Sequence, residues 1–172
     1  MPSVWLLDAF NFIRQSKDLV VLESKNFEKA KEVLVQRLKQ FSEISQEPIW
    51  CVFDATGSVN FHRSEEQRGR VRVIHTRGGE TADEYLLEVA QQKKEAAIVI
   101  SSDREIVIGA KRAGSSTLSS QEFERVLNRA LFSVREEEEN SFSQKGTVKK
   151  GPAHRRAKKD RKVSSKLKGF GL

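Results

Sequence analysis

The chain has 172 residues and a net charge of +7, with 37% hydrophobic and 32% charged residues. That is about one domain's worth of chain plus some excess, and the low apolar fraction implies that part of it lies outside a packed core. The one cysteine excludes an intrachain disulfide framework. The three histidines, His62, His75 and His154, lack zinc spacing, and no apolar run approaches the roughly 18 residues of a membrane span.

In chain order, Val4–Leu7 is an apolar run expected to form a buried strand, followed by DAFNFIRQ as a loop or short helix. From Asn26, a natural N-cap, the apolar residues Phe27, Ala30, Leu34, Leu38 and Phe41 fall on one helical face. Pro48 ends that pattern, and Ile49–Phe53 is predicted to be the second strand, with Cys51 a small buried hydrophobe within it. The stretch ATGSVNFHRSEEQRGR is expected to be a polar connection. Val71–Thr76 is then a strand, Thr81–Lys94 a helix opened by a Thr81/Glu84 capping box, and Ala96–Ile100 a strand. Ser102–Arg112 is a short helix, with Ser102 and Glu105 spaced as a capping box, and Ser115–Leu118 is a fifth strand. A further Ser119/Glu122 box opens a helix whose inward face carries Phe123, Val126, Leu127, Ala130 and Leu131.

Strands alternating with helices predict an α/β domain with a mainly parallel sheet. The periodicity fades after Leu131, and EEEE at 136–139 is expected to separate a domain at 1–135 from a basic segment at 136–172. From Asn140 onward there are eleven Lys or Arg against one acid, a charge of +10. The remainder, with twenty bases against twenty-three acids, carries −3. A mildly acidic domain with a basic C-terminal tail predicts a polyanionic partner, most simply a nucleic acid, contacted through phosphates in a salt-sensitive way. A solubilising, unstructured end is the bland alternative.

In parallel sheets, ligands gather at the carboxyl ends of the strands. Here each of four strands is followed by acid: Asp8, Asp54, the pair Glu80 and Asp83, and Asp103. Singly, each has a structural reading, since Asp103 suits a helix cap and Asp83 a helix dipole. Together they would repel one another unless a cation intervenes, and hard divalent ions such as Mg²⁺ or Mn²⁺ prefer such oxygen ligands. An acidic pocket meets a phosphodiester only with metal ions between them, which is the logic of metal-assisted hydrolysis by activated water. No P-loop pattern is present.

The motifs LLDAFNFI, CVFDA, GETADEY and ISSDRE, in that order and spacing, resemble the NYN domain family of the PIN-like nuclease group, and its bacterial YacP-like ribonuclease branch in particular. The resemblance covers about residues 3–131. It implies a PIN-like three-layer α/β/α sandwich and a metal-dependent endoribonuclease cleaving single-stranded RNA, with a ribosome context and a cytoplasmic location as further expectations. By residue match it implies that Asp8, Asp83 and Asp103 bind metal, that Asn11 and Asp54 support the site, and that Glu80 is an additional ligand. The first motif departs from the family's D-G-Y-N at Ala9 and Phe10, keeping the aromatic ring and losing its hydroxyl. Arg63, Arg68, Arg70, Arg72 and Arg77 are candidates to line an RNA groove beside the acids, or ordinary surface charge. A second reading keeps the fold without catalysis, as an RNA- or ribosome-binding adaptor. A phosphatase with an Asp nucleophile fits less well, because D-A-F-N stands where D-x-D would be wanted.

Overall fold

The computed structural model describes residues 3–55 and 61–144. The basic segment 145–172, and with it the expected RNA-contacting tail, lies outside the described residues. Six strands form one sheet in the order β3-β4-β2-β1-β5-β6, all parallel to their neighbours except β3. The central strand β1 spans Val4–Asp8 and every residue in it is buried. Its neighbours are β2 (Ile49–Phe53) and β5 (Ala97–Ile100), with β4 (Val71–His75), β6 (Ser116–Leu118) and β3 (Ser64–Arg68) outward.

Strand alternation divides the core. Trp5 and Leu7 of β1 face one side and pack with α1 (Ala9–Gln15), α2 (Lys17–Lys25), α3 (Phe27–Ser45) and α6 (Ser120–Gln144). Val4 and Leu6 face the other side and pack with α4 (Ala82–Lys93) and α5 (Arg104–Arg112). Helices thus cover both faces of a mainly parallel sheet, the α/β architecture that the alternation predicts and the three-layer sandwich that the family resemblance implies. Cys51 is fully buried, and burial holds its thiol above the usual range.

Three elements differ from the sequence expectation. The polar connection contains β3, whose sequence SEEQR has no apolar residue. It is an exposed edge strand paired antiparallel with β4, where backbone bonds suffice and charge discourages further pairing. The turn at Gly69, with φ of +64°, closes this hairpin. Helix α2 buries only Leu19 and carries no helical apolar stripe for a pattern to find. Helix α6 passes Leu131 and runs through the acidic run to Gln144, so the expected boundary at 135/136 falls inside a helix. Arg and Glu are good helix formers and sustain the backbone without an apolar face.

Candidate active site

The carboxyl ends of β1, β2, β4 and β5 lie along one edge of the sheet, and the chain reverses its direction of spread at β1, between β2 and β5. Such a reversal opens a crevice at that edge. Asp8 closes β1 and is 6% exposed. Its Oδ1 accepts the backbone N–H of Asn11 at 3.1 Å and caps α1, while its Oδ2 accepts the Ser101 hydroxyl at 3.2 Å. Burial pushes its pKa up to about 6, with the charges of Asp83 and Asp54 adding to the rise and the two hydrogen bonds opposing it.

Ser101, fully buried at the end of β5, also accepts the backbone N–H of Asp103 at 3.1 Å. One hydroxyl therefore ties Asp8 to the loop that carries Asp103. Asn11 completes the tie. Its Oδ1 accepts the Ser102 N–H at 2.9 Å and the Ser120 hydroxyl at 2.8 Å, joining α1, the β5–α5 loop and the start of α6. Ser102 in turn accepts the Ser120 N–H and donates to Gln121. The cap of α5 is Asp103, not Ser102 as the Ser102/Glu105 spacing suggests. Asp103 Oδ1 accepts Glu105 N–H at 2.8 Å and Ile106 N–H at 3.4 Å, so the second carboxylate oxygen is not used in the cap.

On the other side of β1, Asp54 follows β2 and accepts the backbone N–H of Ala82 in the first turn of α4. The next residue, Asp83, is raised in pKa by partial burial first and then by Asp103, Asp54, Glu105 and Glu84. Asp83 and Asp54 thus act on Asp8, while Asp103 and Asp54 act on Asp83, which places the four aspartates in one electrostatic neighbourhood. Thr81 and Glu84 form the expected capping box at 3.1 Å in each direction, and Ser119 and Glu122 form the other.

Glu80 stands apart. Both its oxygens accept Arg63 Nε, at 3.1 and 2.9 Å, and Arg63 Nη2 reaches Oε1 as well. The guanidinium holds its carboxyl below the usual range. Three of the other four arginines of that region are also engaged: Arg68 with Glu66 and Glu32, Arg72 with Glu65 and the Trp50 ring, Arg70 with Gln46. Among the described residues no three His, Cys, Asp or Glu converge as a ready-made ligand set. The four aspartates are instead brought to one edge as hard oxygen donors. No ion pair within the described residues involves Asp8, Asp83 or Asp103. Of the three, Asp8 is buried, Asp103 half-buried and Asp83 exposed. A buried carboxylate without an ion-pair partner is the kind of group a divalent cation relieves, and in donor chemistry the set fits such an ion.

Of these contacts, the Ser101 bridge, the Asn11–Ser120 bond and the Arg63–Glu80 pair join residues 93, 109 and 17 positions apart. The run of hydroxyls in ISS and LSS is a sequence signal that could have found the first two.

The sequence model of the YacP-like NYN domain matches residues 5–168. The chain belongs to the YacP-like NYN domain family. It is 33% identical over 88 residues to the YacP protein of Bacillus subtilis (strain 168), a match covering 51% of each chain, so it spans about half the length of that curated relative. A crystal structure of Rae1 (YacP) from Bacillus subtilis superposes with a TM-score of 0.69 at 26% identity, covering 83% of both chains. A point mutant of the same protein gives a TM-score of 0.71 at 22% identity, covering 98% of this chain and 91% of that one, a likeness of fold. The fold is therefore the nuclease-type, PIN-like NYN fold. The family match also extends past the four motifs into the basic segment.

Proposed function

We propose that this YacP-like NYN protein is a divalent-metal-dependent endoribonuclease acting on single-stranded RNA, with Asp8, Asp83 and Asp103 as its metal-binding acids. The observation that carries this is the buried Asp8, held by Asn11 and Ser101 at the sheet edge that also carries Asp54, Asp83 and Asp103, with its pKa raised by burial and by the charges of Asp83 and Asp54. Gathering these carboxylates costs stability that only a bound cation returns. Mg²⁺ or Mn²⁺ suits the all-oxygen donor set and, when bound, supplies charge neutralisation and an activated water at the phosphodiester.

The chain's own residues fix the geometry. Asn11 N–H and Ser101 Oγ hold the two oxygens of Asp8 in place. Asn11 Oδ1 locks the loop bearing Asp103, and Asp103 sets the start of α5 while keeping one oxygen out of the cap. Asp54 holds the first turn of α4 through Ala82, and so aims the adjacent Asp83. The histidine at the end of β4, His75, stacks on Phe53 at 5.5 Å, and burial lowers its pKa. It is half-buried, and among the described residues its Nε2 has no hydrogen-bond partner, so proton transfer does not rest on it.

The basic segment 145–172 would add sequence-independent phosphate contacts. The buried free thiol suits a reducing cytoplasm, and no helix among the described residues is long and apolar enough to cross a membrane. A ribosome-bound messenger is the context that the family resemblance suggests for the RNA.

The test is cleavage of single-stranded RNA with Mg²⁺ or Mn²⁺, with and without ribosomes. Asp83→Asn should abolish cleavage, and a variant as fast as the parent would sink the assignment. A second reading, an RNA- or ribosome-binding adaptor, draws on the absence of a closed ligand set among the described residues. It expects no cleavage under any metal condition and unaltered RNA binding in Asp103→Asn.

A further inference from the structure

The charges that act most on Asp8 and Asp83 do not include Glu80, although Glu80 is three residues from Asp83. Its side chain is 8% exposed, and both its oxygens are taken by Arg63. The same guanidinium reaches Glu88 Oε2 at 2.6 Å, further along α4, and lies 4.5 Å from the centre of the Tyr85 ring. Arg63 stands just before β3, in the connection that leaves Asp54. It thus joins that connection to the loop and helix that carry Asp83.

Three more bonds close the same junction. Ala55 N–H donates to Thr76 Oγ1 at 3.0 Å, Thr76 Oγ1 donates to Glu80 O at 2.9 Å, and Ala82 N–H donates to Asp54. For Glu80 to ligate a cation it would have to release Arg63 and place a divalent charge beside a guanidinium. Coulomb repulsion opposes that arrangement, and the bidentate pair would be lost.

We infer that Glu80 is the anchor of an Arg63–Glu80 latch that positions Asp83, and is not itself a metal ligand. The latch is a positioning device: Arg63 grips both Glu80 oxygens and so sets the loop that delivers the first turn of α4. Without Arg63, the nearly buried Glu80 carboxylate keeps only the Arg77 N–H at 3.4 Å and that residue's charge, and the loop must rearrange to solvate it. The inference rests on the metal-binding reading above for its meaning to catalysis, but the latch itself can be judged without a metal.

The experiment uses the full chain, with Arg63→Ala, Glu80→Gln, the double variant and Arg63→Lys. Mn²⁺ affinity is measured by titration of the free ion, and amide hydrogen exchange is followed across residues 77–83. A latch predicts that each single variant weakens Mn²⁺ binding by about tenfold, the range of outer-shell supports. The double variant should be no worse than either single, as partners in one interaction are not additive. Exchange across 77–83 should quicken in all three while β1 and β5 stay protected. Arg63→Lys should recover part of the affinity, since a point charge replaces the fork. The inference is overturned if Glu80→Gln weakens Mn²⁺ binding while Arg63→Ala leaves it intact, if the two losses add, or if exchange across 77–83 does not change. If the parent binds no Mn²⁺, the metal-binding reading fails, and the exchange data alone uphold or reject the latch.

Discussion

The two sides of the strand-end site are built differently. On the β1/β5 side, Asp8 and Asp103 are joined through buried neutral groups: the Ser101 hydroxyl, the Asn11 amide oxygen and the Ser120 hydroxyl. On the β2/β4 side, Asp54 sits on a loop and Asp83 in the capped first turn of α4, both held by an ion pair at partly exposed Arg63. Buried neutral hydrogen bonds are insensitive to salt and costly to break singly. A half-exposed ion pair is weaker and more easily opened. The β1/β5 half is thus a fixed jaw, and the β2/β4 half an adjustable one.

The largest effect should come from the fixed jaw. Asp8→Asn removes a proposed ligand and should lower RNA cleavage by more than about 100-fold, since even outer-shell partners cost 10–100-fold. The same change should stabilise the metal-free protein. The folded pKa of Asp8 lies near 6, above its value of 3.8 in the unfolded chain, so the folded state holds the proton more tightly. Stability therefore falls as pH rises from about 4 to 6, a loss of about 3 kcal/mol at neutral pH. Asn carries no charge and escapes it, so Asp8→Asn should melt higher than the parent at pH 7.5 and lose that advantage below pH 4. Thermal denaturation without metal checks this, and an unchanged melting temperature at pH 7.5 would contradict it.

Asn11→Ala should come next. It leaves the Ser102 N–H and the Ser120 hydroxyl without their acceptor, and Ser120 is 1% exposed. A loss of about 1–3 kcal/mol is expected in denaturant unfolding, with cleavage down roughly 10–100-fold. Equal stability in parent and variant would mean that the jaw is not held as described. The adjustable jaw should yield less. Arg63 is the exposed partner, at 30%, so water can reach the Glu80 carboxylate once the loop shifts, and Arg63→Ala should cost about 1 kcal/mol of global stability, its effect being concentrated in the loop. Smallest should be removal of residues 145–172: cleavage of a short RNA should persist at low salt, while binding becomes less steeply salt-dependent. An unchanged salt slope would remove the tail from RNA contact.

Both halves were legible at the level of strands and helix caps. The apolar runs located β1, β2, β4 and β5, and the acid after each strand marked the edge where the carboxylates now stand. The capping boxes at Thr81 and Ser119 were readable because both partners lie within one helical turn. Strand β3 was not readable, because an exposed edge strand needs no apolar alternation. Nor was the engagement of Glu80, since Arg63 precedes it by 17 residues and only the β3–β4 hairpin brings them together. The arginines that sequence placed beside an RNA groove are mostly paired with nearby carboxylates for the same reason. Local chemistry was visible in the sequence, whereas pairing across loops depended on the register of an edge hairpin.

The central claim is that Asp8, Asp83 and Asp103 share a divalent cation. A crystal of the full chain soaked in Mn²⁺, with anomalous difference density recorded at the manganese edge, tests it most directly. The account predicts a peak within coordination distance of carboxylate oxygens of all three aspartates, with Glu80 still on Arg63. No peak there at high Mn²⁺ concentration would contradict it.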